Sequence, residues 1–342
     1  MIATLTLPAG QLLPAPHRAP TIRVRSAFEL QSAVRQARQH AVTLDGTGLD
    51  RVLQVDAGRG VLELQAATTW RELALALAPQ KIVLDAFSRM ASLPATVGES
   101  LSTAAAGPDG LSVTAHVLAV TLVTSEGDLR RADHGANRDL LRRVLGGQGV
   151  IGVLYSVTLS IDSLKRSAAN LVAPVELEIA GAAGPVAAAC AIECLLPPAE
   201  MDGFLQEVRS LVDDRRLALL GISVRRLLPD DSCQLNGATR EWAGATIRFG
   251  IRTTLGASVG AAEVRRALLA AALARGGSFA LRDARDATRA QLETCYPTLR
   301  EFLAEKRRGD PAERLRNAWY RDVTAQMRAE SFAVRWGRGA PG

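Results

Sequence analysis

The chain has 342 residues, 48% of them hydrophobic and 22% charged, with a formal net charge of +6. That length suggests about two domains, and the balance excludes a disordered chain, a collagen-like chain and a coiled coil. The basic runs Arg130-Arg131 and Lys306-Arg307-Arg308 sit close to Asp133 and Asp310, and only 4% of residues are aromatic, so the charge reads as a solvated surface and not as nucleic-acid binding.

The first residues, MIATLTLPAGQLLPAP, have neither a basic start nor a long apolar core, which predicts no secretory signal and a cytoplasmic protein. The stretch Ile179–Ile192 is uncharged, but Gly181, Gly184 and Pro185 interrupt it. It is also shorter than the ~20 residues a spanning helix needs. Cys190, Cys194, Cys233 and Cys295 form no CxxC, and the histidines are scattered. The expectation is buried thiols and no metal.

Helix starts carry local capping signals. Ser26-Ala-Phe-Glu29 is a capping box, with Leu30, Ala33, Val34 and Ala37 behind it at helical spacing. Val52–Val55 and Val61–Gln65 flank the turn Asp56–Gly60 and read as a hairpin. Thr69-Trp-Arg-Glu72 opens a second helix. Val117–Thr124 reads as a strand, Asn137 as the cap of a third helix, and Gly152–Ile161 as a strand. The polar stretch Asp162–Asn170 reads as a domain boundary.

Beyond it lie a strand at 188–195, a helix after Pro197-Pro198, strands at 217–227 and 245–254, a helix at 260–275 and a last strand, Ser278–Arg282. That order is a split βαβ, or βαββαβ, module with one open sheet face. Thr288 and Thr298 start two closing helices, and residues 328–342 read as a flexible tail.

Two glycine-rich segments carry chemical information: Pro94-Ala-Thr-Val-Gly-Glu-Ser100 and Leu145-Gly-Gly-Gln-Gly-Val-Ile-Gly-Val153. Small residues expose backbone amides and let a ligand approach closely. Neither segment is a P-loop. Gly147-Gln-Gly149-Val-Ile-Gly152 spells GxGxxG, but it follows a helix and enters a strand, the reverse of a Rossmann turn.

In chain order, the helix from Ser26, the hairpin, the Gln65–Trp70 helix entry, PATVGES and the run Asn137–Val153 resemble the FAD-binding domain of the vanillyl-alcohol oxidase / p-cresol methylhydroxylase (PCMH) superfamily. The resemblance covers Ile22 to about Ile161. Gly276–Arg285, Cys295-Tyr-Pro297, Glu301–Pro311 and Asn317–Arg321 are similar to the closing segment of the aldonolactone oxidase and decaprenylphosphoryl-ribose oxidase branch.

The resemblance implies an α+β fold. It has a PCMH-type FAD-binding domain at 1–162, a ferredoxin-like βαββαβ cap at 171–286, and C-terminal helices at 287–327 that return to the first domain. It also implies non-covalent FAD, held by Thr96, Val97, Gly98, Ser100, Thr103, Gly146, Gly147, Gly149, Gly152 and Val153. Ala106 stands where some relatives carry a flavin-linked histidine, and Glu99 where the second glycine of TVGG would be. The family's glycine-rich pyrophosphate loop is missing near His40-Ala41, so the chain reads as a shortened relative.

Arg282 and Arg285 read either as substrate-orienting groups or as solvent-exposed arginines at a strand edge. The implied activity is oxidation of a sugar-like, lactone or related alcohol by the flavin, with the electron acceptor unspecified. The alternative is a flavin-poor relative that only binds a ligand or partner.

Overall fold

The computed structural model describes residues 2–5, 20–37, 42–90, 93–177, 188–215, 218–251 and 257–336. The chain divides into two compact units. One comprises residues 1–171, 231–236 and 298–321; the other comprises 172–230, 237–297 and 322–342.

The first unit holds two sheets. The smaller contains β1 (Ile2–Leu5), β2 (Thr21–Arg23), β3 (Val42–Asp45) and β14 (Leu315–Arg316), in the order β14-β1-β3-β2. Helix α1 (Ala27–Gln36) crosses between β2 and β3, which pair in parallel. Its start follows from the capping chemistry: the Ser26 hydroxyl accepts the Glu29 N–H, and the Glu29 carboxylate accepts the Arg25 N–H at 2.7 Å. Leu30, Ala33 and Val34 form its buried face. Only residues 37–41 separate α1 from β3, so the connection has no room for a further strand–loop–strand. The His40-Ala41 junction itself lies outside the described residues.

The larger sheet contains β4 (Val52–Asp56), β5 (Val61–Gln65), β6 (Val117–Val123), β7 (Leu129–Asp133) and β8 (Val153–Ser160). Its order is β4-β5-β8-β6-β7, antiparallel throughout. Five helices accompany it: α2 (Trp70–Leu77), α3 (Asp85–Arg89), α4 (Val97–Ser102), α5 (Arg138–Val144) and α6 (Ile161–Ala169). Leu62, Leu64, Val120, Leu122, Val157 and Leu159 pack with Trp70, Leu73, Phe87, Val97, Leu101 and Leu164 in one core. Trp70 stacks on Phe87 with ring centroids 4.7 Å apart.

Two local expectations change here. Asn137 precedes α5 with φ +60° and makes no capping bond; its side-chain amide donates to the Arg131 carbonyl instead. The stretch Asp162–Asn170 is a helix rather than a linker. Ser160 caps α6, and Ile161, Leu164 and Ser167 are buried at three-residue spacing.

The second unit holds β9 (Val175–Leu177), β10 (Ala188–Leu196), α7 (Met201–Arg215), β11 (Ala218–Leu227), β12 (Trp242–Ile251), α8 (Ala257–Ala274) and β13 (Ser278–Phe279). The sheet order is β13-β10-β12-β11-β9, antiparallel. This is the order of a split βαβ module with one added edge strand. The last strand is shorter than the sequence predicts. Pairing stops at Phe279, because Asp283 turns back to accept the Glu193 N–H at 3.0 Å, and Leu281–Asp286 winds as a 3₁₀ turn. Arg282 therefore lies on that turn and not on a strand.

Helices α9 (Arg289–Cys295), α10 (Leu299–Gly309) and α11 (Ala318–Trp336) close the chain. Helix α11 runs through residues 328–336, where the sequence predicts a flexible tail.

Thr69 and Glu72 form a complete capping box at α2. Thr69→Ala should therefore lower stability by about 1 kcal/mol, while Thr69→Ser should restore most of it. Urea denaturation of both variants checks this.

Candidate functional site

The Gln65–Trp70 segment and the PATVGES turn are bound to each other by backbone. Val97 N–H donates to the Thr68 carbonyl at 2.9 Å, Gly98 N–H to the Ala66 carbonyl at 2.8 Å, and Trp70 N–H to the Ala95 carbonyl at 3.1 Å. Thr96 is the cap of α4 and accepts the Glu99 N–H. The buried Ser100 hydroxyl accepts the Trp70 indole N–H at 2.9 Å and donates to the Thr96 carbonyl. Thr103 donates to the Glu99 carbonyl.

The second glycine segment meets the far end of α4. Gly146 N–H donates to the Leu101 carbonyl and Gln148 N–H to the Ser102 carbonyl. The two segments predicted to share a site are thus neighbours.

Each glycine is explained by a close protein neighbour or by its backbone conformation. A Cβ on Gly98 would sit 2.6 Å from the Ala66 oxygen; on Gly147, 2.0 Å from the Arg143 oxygen; on Gly152, 2.2 Å from Leu122. Gly146 and Gly149 have φ +66° and +71°, a region that penalises any β-branched replacement. At Gly146 a Cβ would also approach the Cys233 sulfur to 3.0 Å. Cys233 belongs to the loop between β11 and β12, and it is buried in the core of the first unit.

Thr96 and Val153 line a groove with Val24, Leu44, Ala66 and Ala67, where the smaller sheet packs against the larger. The space there is about 40 Å³, against the roughly 300–1,000 Å³ of a cofactor-sized pocket. Beside it, Gln65 Nε2 and Thr68 Oγ1 are fully buried and have no hydrogen-bond partner. They were not predicted from sequence.

FAD is the group the fold implies, and the residues fit it unevenly. The two unpaired polar atoms suit a cofactor with hydrogen-bonding edges, while the groove is lined by Leu30, Leu44, Leu49 and Leu154 as well as by small residues. The α4 amides do not offer themselves to a pyrophosphate, because the protein's own oxygens already take them.

In the second unit the sheet face turned away from α8 carries a buried charge cluster. Cys194 on β10 faces α8, so Glu193 points to the opposite side. The Glu193 carboxylate accepts from Arg225 at 2.7 and 3.1 Å and from Arg282 at 3.0 Å. Burial would push Glu193 up, but the two guanidiniums more than offset this and hold it below the usual carboxylate range. Asp283 sits beside it, and burial raises it to about 6 despite Arg282. Arg285 is exposed, approaches Asp286 at 3.4 Å, and adds to the positive field on Asp283. Glu193 was missed from sequence, although an acid inside the apolar run Ala188–Leu196 is a readable anomaly.

Comparison with known proteins places these features. Residues 20–133 match the FAD binding domain family. L-gulono-1,4-lactone dehydrogenase from Mycobacterium tuberculosis is 27% identical over 144 residues, which is 42% of this chain and 34% of that protein. The match thus spans about a third of the relative's length. Among solved structures, alkyldihydroxyacetonephosphate synthase aligns in one crystal form with TM-score 0.58 at 12% identity, covering 87% of this chain and 77% of that one. In a second form the TM-score is 0.55 at 11% identity, covering 86% and 76%. At that identity the likeness shows the fold. None of the described helices is long and apolar enough to cross a membrane.

The raised Asp283 makes stability depend on pH. Its unfolded value is near 3.8 and its folded value about 6. The unfolded chain therefore gives up this proton first as pH rises. Stability should fall between pH 4 and 6 by up to about 3 kcal/mol from this group. Asp283→Asn, which can still accept the Glu193 N–H, should flatten that slope and exceed wild type in stability at pH 7. Urea denaturation at several pH values tests it; an unchanged slope refutes the assignment.

Proposed function

We propose that this chain, whose residues 20–133 belong to the FAD-binding PCMH-type superfamily, is an FAD-dependent oxidoreductase that oxidises a sugar-like, lactone or related alcohol. The observation that carries the reading is the pairing of an FAD binding domain with a split βαβ sheet that bears a buried, anionic Glu193 between Arg225 and Arg282. Bound FAD would supply hydride acceptance from an alcohol carbon. The protein's own part is to bind and orient.

Thr96, Val97, Gly98, Ser100, Thr103, Gly146, Gly147, Gly149, Gly152 and Val153 form the proposed cofactor surface. What supports this surface is that the two segments meet, with Gly146 and Gln148 donating to the carbonyls at the end of α4. Glu193 and Arg282 are the proposed polyol contacts: a carboxylate accepts hydroxyl hydrogens, and a guanidinium donates to hydroxyl or lactone oxygens. Arg225, 7% exposed in its side chain, holds Glu193 ionised. Arg285 approaches Asp286 and not Glu193, and it has no proposed substrate contact. Residues 1–162 and 171–286 are the proposed FAD and cap domains, except that 231–236 cluster with the first unit; of the closing stretch 287–327, residues 298–321 belong to the first unit and 287–297 and 322–327 to the second. The protein is proposed to be cytoplasmic with a small-molecule substrate.

A second reading, a flavin-poor relative that acts by binding alone, is favoured by two observations. The α4 amides are used internally and the groove holds about 40 Å³.

One experiment separates them. Purified protein is denatured and the released flavin assayed, and apo-protein is then titrated with FAD. Saturable but weak binding supports the oxidoreductase; no binding at any concentration supports the second reading. Glu99 is exposed in the first turn of α4, where a negative charge opposes a diphosphate. Glu99→Gln should tighten FAD roughly fivefold, since a like charge near the surface is worth about 1 kcal/mol.

A further inference from the structure

We propose that the turn Leu281–Asp286 is a pH-sensitive clasp, which holds Arg282 on Glu193 while Asp283 carries a proton and loosens when Asp283 ionises. All of it lies in the second unit, and it needs no bound flavin or substrate.

The clasp is tied at three points. Asp283 accepts the Glu193 N–H at 3.0 Å, and Arg282 donates to the Glu193 carboxylate at 3.0 Å. Asp286 accepts from Arg265 of α8 through both carboxylate oxygens. Two of the ties thus meet on Glu193. Backbone bonds complete the turn: Ala280 N–H donates to the Glu193 carbonyl, and Ala287 N–H to the Ala284 carbonyl.

The weak point is charge on Asp283. Glu193 has two close cations, Arg225 at 2.7 Å and Arg282 at 3.0 Å. Among the described residues Asp283 forms an ion pair with Arg282 alone, at 3.9 Å. Two carboxylates therefore share the Arg282 guanidinium, and Glu193 holds it closer. Arg285 turns to Asp286 at 3.4 Å, the carboxylate that Arg265 also takes. Cys194, the next residue on β10, adds no charge, because burial pushes its thiol up. The carboxylate with fewer donors is the costlier to ionise. Burial accordingly raises Asp283 to about 6, while Glu193 stays below the usual carboxylate range.

A protonated Asp283 still accepts the Glu193 N–H through its carbonyl oxygen. An ionised one is better solvated by water. Its side chain is 14% exposed, and the turn follows the end of β13, so release requires no break in the sheet. In the open turn Asp283 ionises near 3.8, and in the closed turn near 6. The open population therefore grows as pH rises through that window. Release of Asp283 takes the frame from Arg282 and with it the close Arg282–Glu193 pair.

Hydrogen exchange of the full chain at pH 5 and pH 7.5, read by mass spectrometry at single amides and divided by the intrinsic chemical rates, tests this. The amides of Glu193, Ala280 and Ala287 report the clasp. They should exchange at least tenfold faster than the core amides of β12, the mark of local opening. Their opening should increase about tenfold between the two pH values. Asp283→Asn, which keeps the acceptor, should abolish that increase. The proposal is overturned if the clasp amides exchange only as slowly as those of β12, if their opening is independent of pH, or if the Asn variant keeps the dependence. Should that variant not fold, the wild-type comparison with β12 at the two pH values decides. FAD content enters none of these readouts, so the result stands apart from the proposed oxidoreductase activity.

Discussion

The first unit depends on one close approach, that of the Gly98 backbone to Ala66. The Gly98 N–H reaches the Ala66 carbonyl at 2.8 Å, and a Cβ at Gly98 would lie 2.6 Å from the same oxygen. That contact sets the position of α4. The C-terminal end of α4 accepts the amides of Gly146 and Gln148, and the chain then enters β8 through Gly152, pressed against Leu122. A larger residue at Gly98 would displace the turn, the second glycine segment and the start of a central strand together. Close-packed interiors transmit such shifts instead of absorbing them.

Glycine in these segments is therefore a requirement of the protein's own packing before it is a requirement of any ligand. A cofactor surface built this way is rigid whether or not it is filled. Rigidity in advance is what lets fixed dipoles act on a bound group with little reorganisation. It also means that the amides have already chosen partners, and only groups left unpaired, such as Gln65 Nε2 and Thr68 Oγ1, remain to recognise something new.

Sequence reading succeeded where the determinants are local. Thr69 with Glu72, Thr288 with Gln291 and Ser26 with Glu29 cap helices through contacts three residues apart, and the 52–65 hairpin follows from alternation and its turn. It failed where the same residue types serve a distant partner. Asn137 turns its amide to Arg131. Asp283 ends a strand by reaching Glu193, 90 positions away. The polar look of Asp162–Asn170 hides a helix whose buried face is only Ile161, Leu164 and Ser167. At the candidate site the glycines were legible and their partners were not. The Glu193 cluster needed Arg225 and Arg282, 32 and 89 residues distant, to become visible. Buried ion pairs of this kind gain little net stability, but they cost several kcal/mol when one partner is removed.

The loop Asp231–Asn236 leaves the second unit between two adjacent strands and joins the first, and the chain also crosses at 171–172, 297–298 and 321–322. Neither unit is a contiguous stretch of sequence. No single cut separates the two, and a gene fragment that ends at any crossing would leave at least one of them incomplete. Closing the long excursions costs only slowly growing entropy, so the arrangement is thermodynamically cheap. Its consequence is hereditary: the two halves can be lengthened or trimmed within their loops, but they cannot be exchanged, lost or acquired one at a time.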